Sequence, residues 1–327
     1  MGFLLIILGN ILGLIGFGWI WVLFEYLYYK AKGFVLITVA GLFIRWDRDY
    51  YDKENPGKMK FSRTRLNQIY PTVLMYKKGA DEEVRKSTFH TVLAVVLAVT
   101  FAVLTLMNGY GAFDSMKQEV RGFLGGLCAG AFGFFFSISY YNIKRHKKPE
   151  GLEARIWELS MSMQKAKTEE DLVAQPFDHA MYGSAALGSK IRYLCSFYRV
   201  AEMRNDLTAM SECIDAMTRL KTVGLTDMGH FYLDTVLFSY YSFRHKIPQL
   251  ATQFYQHSKR NIDADTDANG RRKLAYYAFY VLNDKEAAKK YVEEGLSALS
   301  VDDPRQLEIF LKFEEKMLLY LKSQLQQ

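Results

Sequence analysis

The sequence predicts a mainly α-helical protein in two parts: a three-span membrane domain over residues 1–150 with a small membrane-surface sheet, and a cytosolic α-helical repeat domain over residues 151–327. Three observations carry this reading. Uncharged apolar stretches close to the roughly 20 residues that cross a hydrocarbon core occur at about 3–24, 91–107 and 122–141. A stretch rich in β-branched and aromatic residues lies between the first two. From Gly151 onward long apolar runs give way to helical periodicity with short breaks.

The first span, Phe3 to Phe24, has neither a basic segment before it nor a small-residue cleavage site after it, so it is expected to stay as an anchor. The run Phe34 to Ile44 is apolar too, but its eleven residues would rise only about 16 Å as a helix, too little to cross. Its Val, Ile and Thr content predicts strands over a sheet-like segment 34–66, with a turn at Asn55-Pro56-Gly57. The second and third spans, joined by the short polar connection Asn108 to Arg121, form a membrane hairpin.

Half of the residues are hydrophobic, yet mean hydropathy is only −0.08, so apolar residues are concentrated in some segments and diluted in others. The 42 basic and 35 acidic residues are mixed along most of the chain, which excludes the clustered cationic face of a nucleic-acid binder. The basic excess sits instead on span flanks. Arg45 to Lys86 is rich in Lys and Arg, and Lys144, Arg145, Lys147 and Lys148 follow the third span, whereas the short connection holds only Lys117 and Arg121. Basic flanks stay inside, which predicts a multi-pass plasma-membrane protein with its N-terminus outside and its C-terminal domain cytosolic.

Small residues recur every four positions in two spans: Ala94, Ala98 and Ala102 in the second, Gly122, Gly126 and Gly130 in the third. Such faces let helix backbones approach closely. They are expected to pack within the hairpin, with an oligomer interface as the alternative.

In the C-terminal half, breaks at Gln175-Pro176, Asn205-Asp206, Gly224, Ile247-Pro248, Asp263 to Gly270, Asn283-Asp284 and Asp302 to Pro304 predict seven or eight helices. The last is expected to start at Asp303 as cap, with Pro304 in its first turn and Gln306 completing a capping box. Sliding the chain by 36 residues lays Tyr240-Tyr241-x-Phe243 over Tyr276-Tyr277-x-Phe279, Ala251 over Ala287 and Tyr255 over Tyr291. The pattern resembles tetratricopeptide-like helical hairpins, although the tryptophan and the leucine-glycine pair of that signature are absent. Stacked hairpins of this kind imply a concave face that takes a protein or peptide segment. Tyr240, Tyr241, Tyr276 and Tyr277 are the candidate partner contacts, set against the commoner role of aromatic residues at helical spacing, which is core packing.

No catalytic constellation is written in the chain. The six histidines, His90, His146, His179, His230, His245 and His257, form no HExxH pair, and neither a P-loop nor a dinucleotide fingerprint nor a GxSxG turn occurs. Cys128, Cys195 and Cys213 make no CxxC pair and leave an odd count, so neither a zinc knuckle nor a disulfide framework is indicated. No catalytic, metal or cofactor residue is therefore expected.

The order of parts nevertheless resembles the site-2-protease-type intramembrane metallopeptidases, in which an HExxH helix is followed by a membrane-associated sheet, two further spans and a late Asn…Pro…Asp-Gly stretch. By distance from Gly33, the HExxH positions fall on Trp21-Val22-Leu23-Phe24-Glu25, without histidine or the glutamate in second place. Asn142, Pro149, Glu150 and Gly151 echo the late stretch. The resemblance implies an inactive relative, because one carboxylate cannot supply the three protein ligands of a catalytic zinc.

These readings predict a non-enzymatic integral membrane protein that presents its helical domain to a protein or peptide partner. The alternatives are an inactive metallopeptidase-like protein handling a membrane peptide and a structural subunit of a membrane complex. Elemental analysis of the detergent-purified chain separates the classes. Zinc well below one atom per chain is expected; stoichiometric zinc lost on Glu150→Ala would restore a metallopeptidase.

Overall fold

The computed structural model describes residues 2–42, 44–52, 54–63, 71–77, 88–146 and 149–327, with backbone alone at 145 and 146. Residues 64–66 of the expected sheet-like segment, much of the basic stretch before Lys86, and Lys147 and Lys148 lie outside that set. The protein is mainly helical with one small sheet, and it divides into two compact units, Met1–Lys148 and Pro149–Gln327.

Three helices of the first unit are long and apolar enough to cross a membrane: α1 (Gly2–Ala31), α2 (Thr88–Gly109) and α3 (Gln118–His146). Their large apolar side chains point outward, among them Phe3, Leu4, Ile20, Val96, Leu106 and Phe136. Apolar surface on this scale is unfavourable against water.

Along its first half α1 buries backbone at Gly9 and Gly13. A Cβ on Gly9 or Gly13 would collide with the carbonyl oxygen of Phe123 or Leu127, and one on Gly126 or Gly130 with that of Ile6 or Asn10. The two helices thus meet main chain to main chain, with Gly122 facing the Ile6 side chain beside them. The glycine face expected to pack within the hairpin therefore packs on α1. The reason is mutual: the closest approach occurs where both helices lack a Cβ, and α1 carries the matching pair Gly9 and Gly13. The alanine face does the opposite job. Ala94 and Ala98 are buried in one cluster with the bulky Trp21, Phe134 and Phe135, and Ala102 is half-buried. Phe17, Phe101 and Phe135 join that cluster edge to face and stacked, at 4.8 Å and 5.8 Å between ring centroids.

The sheet has four antiparallel strands in the order β3-β2-β1-β4: β1 (Val35–Gly41), β2 (Ile44–Asp49), β3 (Lys58–Arg63) and β4 (Thr72–Tyr76). The apolar run Phe34 to Ile44 turns at Leu42, whose φ is 47°, and the turn before β3 is closed by Gly57 N–H donating to Asp49 O at 2.7 Å. β4 extends the sheet beyond the expected segment and pairs with β1 from Val35↔Tyr76 to Ala40↔Thr72. Ahead of it, Pro71 seats in a notch left by Gly18 and Gly41, where an added Cβ on either would lie 2.7 Å from the ring or Cα of the proline.

The second unit holds nine α-helices: α4 (Leu152–Lys165), α5 (His179–Ser184), α6 (Leu187–Met203), α7 (Leu207–Leu220), α8 (Asp227–Ser239), α9 (Pro248–Ala264), α10 (Ala268–Tyr280), α11 (Lys285–Ala298) and α12 (Glu308–Leu325). The helix beyond the expected seven or eight is the short α5, capped by Asp178. Three of the breaks read from sequence hold caps, and Thr226 supplies another just after the break at Gly224. Asp206, Thr226, Asp267 and Asp284 each accept the N–H three residues on, at 2.8–3.2 Å, replacing orphan donors of a first turn. Consecutive helices pair as α6 with α7, α8 with α9 and α10 with α11, while α6, α8 and α10 touch in series and α12 closes on α10 and α11.

The start of α12 departs from expectation. Asp303 does not cap it; its buried carboxylate accepts the Arg305 N–H at 2.9 Å and pairs with the Arg305 guanidinium. Gln306 reaches Asp267 instead of completing a capping box, so the helix begins four residues later, at Glu308.

One buried ion cluster joins three of these helices. Arg272 of α10 is 1% exposed, with Nε donating to Glu314 of α12 at 2.5 Å and both terminal nitrogens to Glu202 of α6 at 3.3 Å and 3.4 Å. Burial works against the charge on both acids. At Glu202 the cations Arg272, Arg244 and Lys273 outweigh it and hold the group below its ordinary value, whereas at Glu314 burial prevails over Arg272 and lifts it.

Two stability outcomes follow. Gly126→Leu should destabilise the detergent-solubilised protein by about 1–3 kcal/mol through overpacking, whereas Gly16→Leu, which meets open space, should leave the thermal midpoint unchanged. Arg272→Met should cost about 3–5 kcal/mol in denaturant titrations followed by circular dichroism, because two buried carboxylates lose their counter-charge. Glu202→Gln should cost more than Glu314→Gln, since the surrounding cations favour the charge of Glu202 over its burial cost and do not do so at Glu314.

Candidate ligand cleft

The serial contact of α6, α8 and α10 leaves a cleft of about 370 Å³ along one side of the second unit. Each helix contributes residues at helical spacing: Cys195, Ser196 and Arg199 from α6, Thr235 and Ser239 from α8, and Asn269 and Lys273 from α10. Met163 of α4 with Phe231 and Val236 of α8 supplies apolar wall.

The polar groups of the cleft fall into two sets. Glu202 is committed to Arg272, and the Asn269 side-chain oxygen accepts from the same guanidinium at 3.4 Å. The other set is uncommitted. Arg199 lies over the Phe310 ring at 4.4 Å, and among the described residues neither it nor Lys273 forms an ion pair. Burial lowers the Lys273 ammonium below its ordinary value, only partly offset by the charges of Asp265 and Asp267. Burial, with the neighbouring Asp267 charge, in turn lifts Asp265 to about 6. Tyr198 is 3% exposed, and its hydroxyl has no hydrogen-bond partner among the described residues. Cys195 is pushed up to about 11 by burial, which leaves a protonated thiol and no nucleophile at neutral pH.

A second polar cluster lies between α7, α8 and α9. Asp234 is fully buried and pairs with Lys221 and His257, while Ser258 Oγ donates to it at 3.1 Å. Ser258 is also where α9 leaves helical geometry, at φ −117° and ψ 16°, so the cluster sits at a kink. His230 stands edge to face with His257, 5.6 Å between centroids, but among the described residues no group of three metal-ligating side chains forms.

The four tyrosines singled out from sequence do not line the cleft. Tyr276 and Tyr277 are 1% and 4% exposed, with hydroxyls donating to Met317 O at 2.9 Å and Thr252 Oγ1 at 3.1 Å, so they are core. Tyr240 and Tyr241 are half-buried in a π-helical turn, Tyr240–Arg244, that extends α8. The aligned doublets therefore differ in local conformation. Sequence reasoning passed over Tyr198, Arg199 and Lys273. Lys273 did carry a signal, since no acid stands three or four residues from it on its helix.

In the first unit Trp21, where the resemblance places the first zinc-ligating histidine, fills the aromatic cluster. His90 packs beside it among Tyr28, Tyr29 and Phe89, and Trp21 Nε1 and both His90 ring nitrogens are buried without partners among the described residues. Asn142 lies on α3, and Glu150 and Gly151 line a separate hollow ahead of α4.

No protein-family model, no curated protein and no solved structure matches the chain.

Proposed function

We propose that the protein is a non-catalytic docking module held at a membrane. In this reading α1, α2 and α3 cross the bilayer with the N-terminus outside, the four-stranded sheet lies at the cytosolic surface, and residues 149–327 receive a protein or peptide segment in the cleft. Membrane placement is supported by the outward apolar side chains of the three helices. Orientation is supported by the basic residues that flank the spans.

The observation that carries the docking role is the cleft itself. It runs across α6, α8 and α10, each the first member of a helical pair, in the way that stacked tetratricopeptide-like hairpins offer their inner helices to a bound segment. The thiol of Cys195 is protonated and Glu202 is committed to Arg272, so neither serves as nucleophile or base, which favours holding over chemistry. An oligomer built through the glycine face of α3 is disfavoured, because α1 of the same chain already covers that face.

Proteins that co-purify with the full chain from native membranes should be lost when Thr235→Trp fills the cleft, and kept with Leu282→Trp at an exposed position elsewhere. Retention of the same proteins by both variants would sink the docking reading.

A further inference from the structure

We infer that the cleft is built for an acidic segment: a stretch of polypeptide whose Asp or Glu carboxylates lie between Arg199 and Lys273 and accept the hydroxyl of Tyr198. The inference rests on the docking reading above and specifies the chemistry of what docks.

The argument starts from what the cleft leaves unmade. A buried hydroxyl without a partner costs about 1–3 kcal/mol, a penalty that a ligand acceptor removes on binding. Tyr198 is such a group, lining the cleft at 3% exposure. The same cleft is lined by two cations with no ion pair among the described residues, Arg199 from α6 and Lys273 from α10. Lys273 is desolvated, and Asp265 and Asp267 offset that only in part without an ion pair among the described residues, so an incoming anion would stabilise its charge further.

The acids in the same wall do not cancel these cations. Glu202 is paired with Arg272, and Asp265 faces the like charge of Asp267 as well as the charge of Lys273, with no ion pair to either cation among the described residues. Arg199 and Lys273 are thus two positive charges against the one unpaired carboxylate of Asp265, whose ionisation burial and Asp267 oppose. A neutral or basic segment would bury Arg199 and Lys273 without a counter-charge, whereas a carboxylate forms charge-assisted hydrogen bonds with both.

The surroundings favour polypeptide. Met163, Phe231 and Val236 give the cleft apolar walls between its polar points, which suits a segment alternating acidic and apolar side chains. Two cations in a hollow of about 370 Å³ accommodate a few side chains, not the row of phosphates of a nucleic acid.

The test uses the full chain in lipid nanodiscs and fluorescence anisotropy of three short labelled peptides of alternating sequence, Glu-Leu, Gln-Leu and Lys-Leu. The Glu-Leu peptide is expected to bind about tenfold or more tighter than the Gln-Leu peptide, as hydrogen bonds to charged groups predict. The Lys-Leu peptide should bind weakest. Lys273→Gln and Arg199→Gln should each weaken Glu-Leu binding about tenfold and leave Gln-Leu binding unchanged. Tyr198→Phe should weaken it without lowering the thermal midpoint, since the variant removes an unsatisfied group; a purely structural tyrosine would show the reverse.

Equal binding of Glu-Leu and Gln-Leu peptides, both abolished by Thr235→Trp, would overturn the acidic preference and leave the docking reading standing. Failure of all three peptides, together with partner retention by Thr235→Trp, would overturn both. Displacement of the Glu-Leu peptide by an equal concentration of inorganic phosphate would make the site one for small anions and overturn the segment.

Discussion

The second unit depends on a single guanidinium. Arg272 is almost wholly removed from water, and its nitrogens reach Glu202 on α6 and Glu314 on α12 while its own backbone belongs to α10. A buried charge is tolerated only when opposed and hydrogen-bonded, so the positions of three helices far apart in sequence are constrained together. The consequence reaches the cleft, since Tyr198 and Arg199 stand on the same helix as Glu202, and Lys273 adjoins Arg272. The ion cluster thus holds the two sides of the cleft at fixed separation and also removes the acid that would otherwise neutralise it.

The first unit obeys a different constraint. Where side chains outside the bundle are apolar, burying more apolar surface gives little preference for one arrangement, and shape decides. Glycine against glycine brings α1 and α3 into main-chain contact, and alanine against aromatic seats α2 beside Trp21 and Phe135. The two small-residue faces look alike in sequence and act oppositely: one removes side chains from both partners, the other makes room for a large ring.

Local signals were legible and distant ones were not. The three long helices follow from uncharged runs, and the helix starts at Asp206, Thr226, Asp267 and Asp284 follow from cap chemistry that acts within three residues. β4 was not legible, because Thr72–Tyr76 has no partner near it in sequence and pairs with β1 across the intervening hairpin. The beginning of α12 was misread for a chemical reason: the Asp303 carboxylate serves Arg305, a competition that residue types alone do not resolve. The repeated tyrosine doublets drew attention because they recur, and recurrence here marks core positions, fully so for Tyr276 and Tyr277. The cleft residues do not recur. They belong to three helices, and what Arg199, Lys273 and the Tyr198 hydroxyl share is the lack of an ion pair or hydrogen bond among the described residues, which only the folded chain reveals.

The glycine contact between α1 and α3 also bears on the order in which the chain is made. Gly9 and Gly13 leave the ribosome long before Gly126 and Gly130, with the sheet and α2 synthesised in between. During that interval the bare face of the first helix has no match within its own chain, so its closure waits on the last helix of the unit to be made.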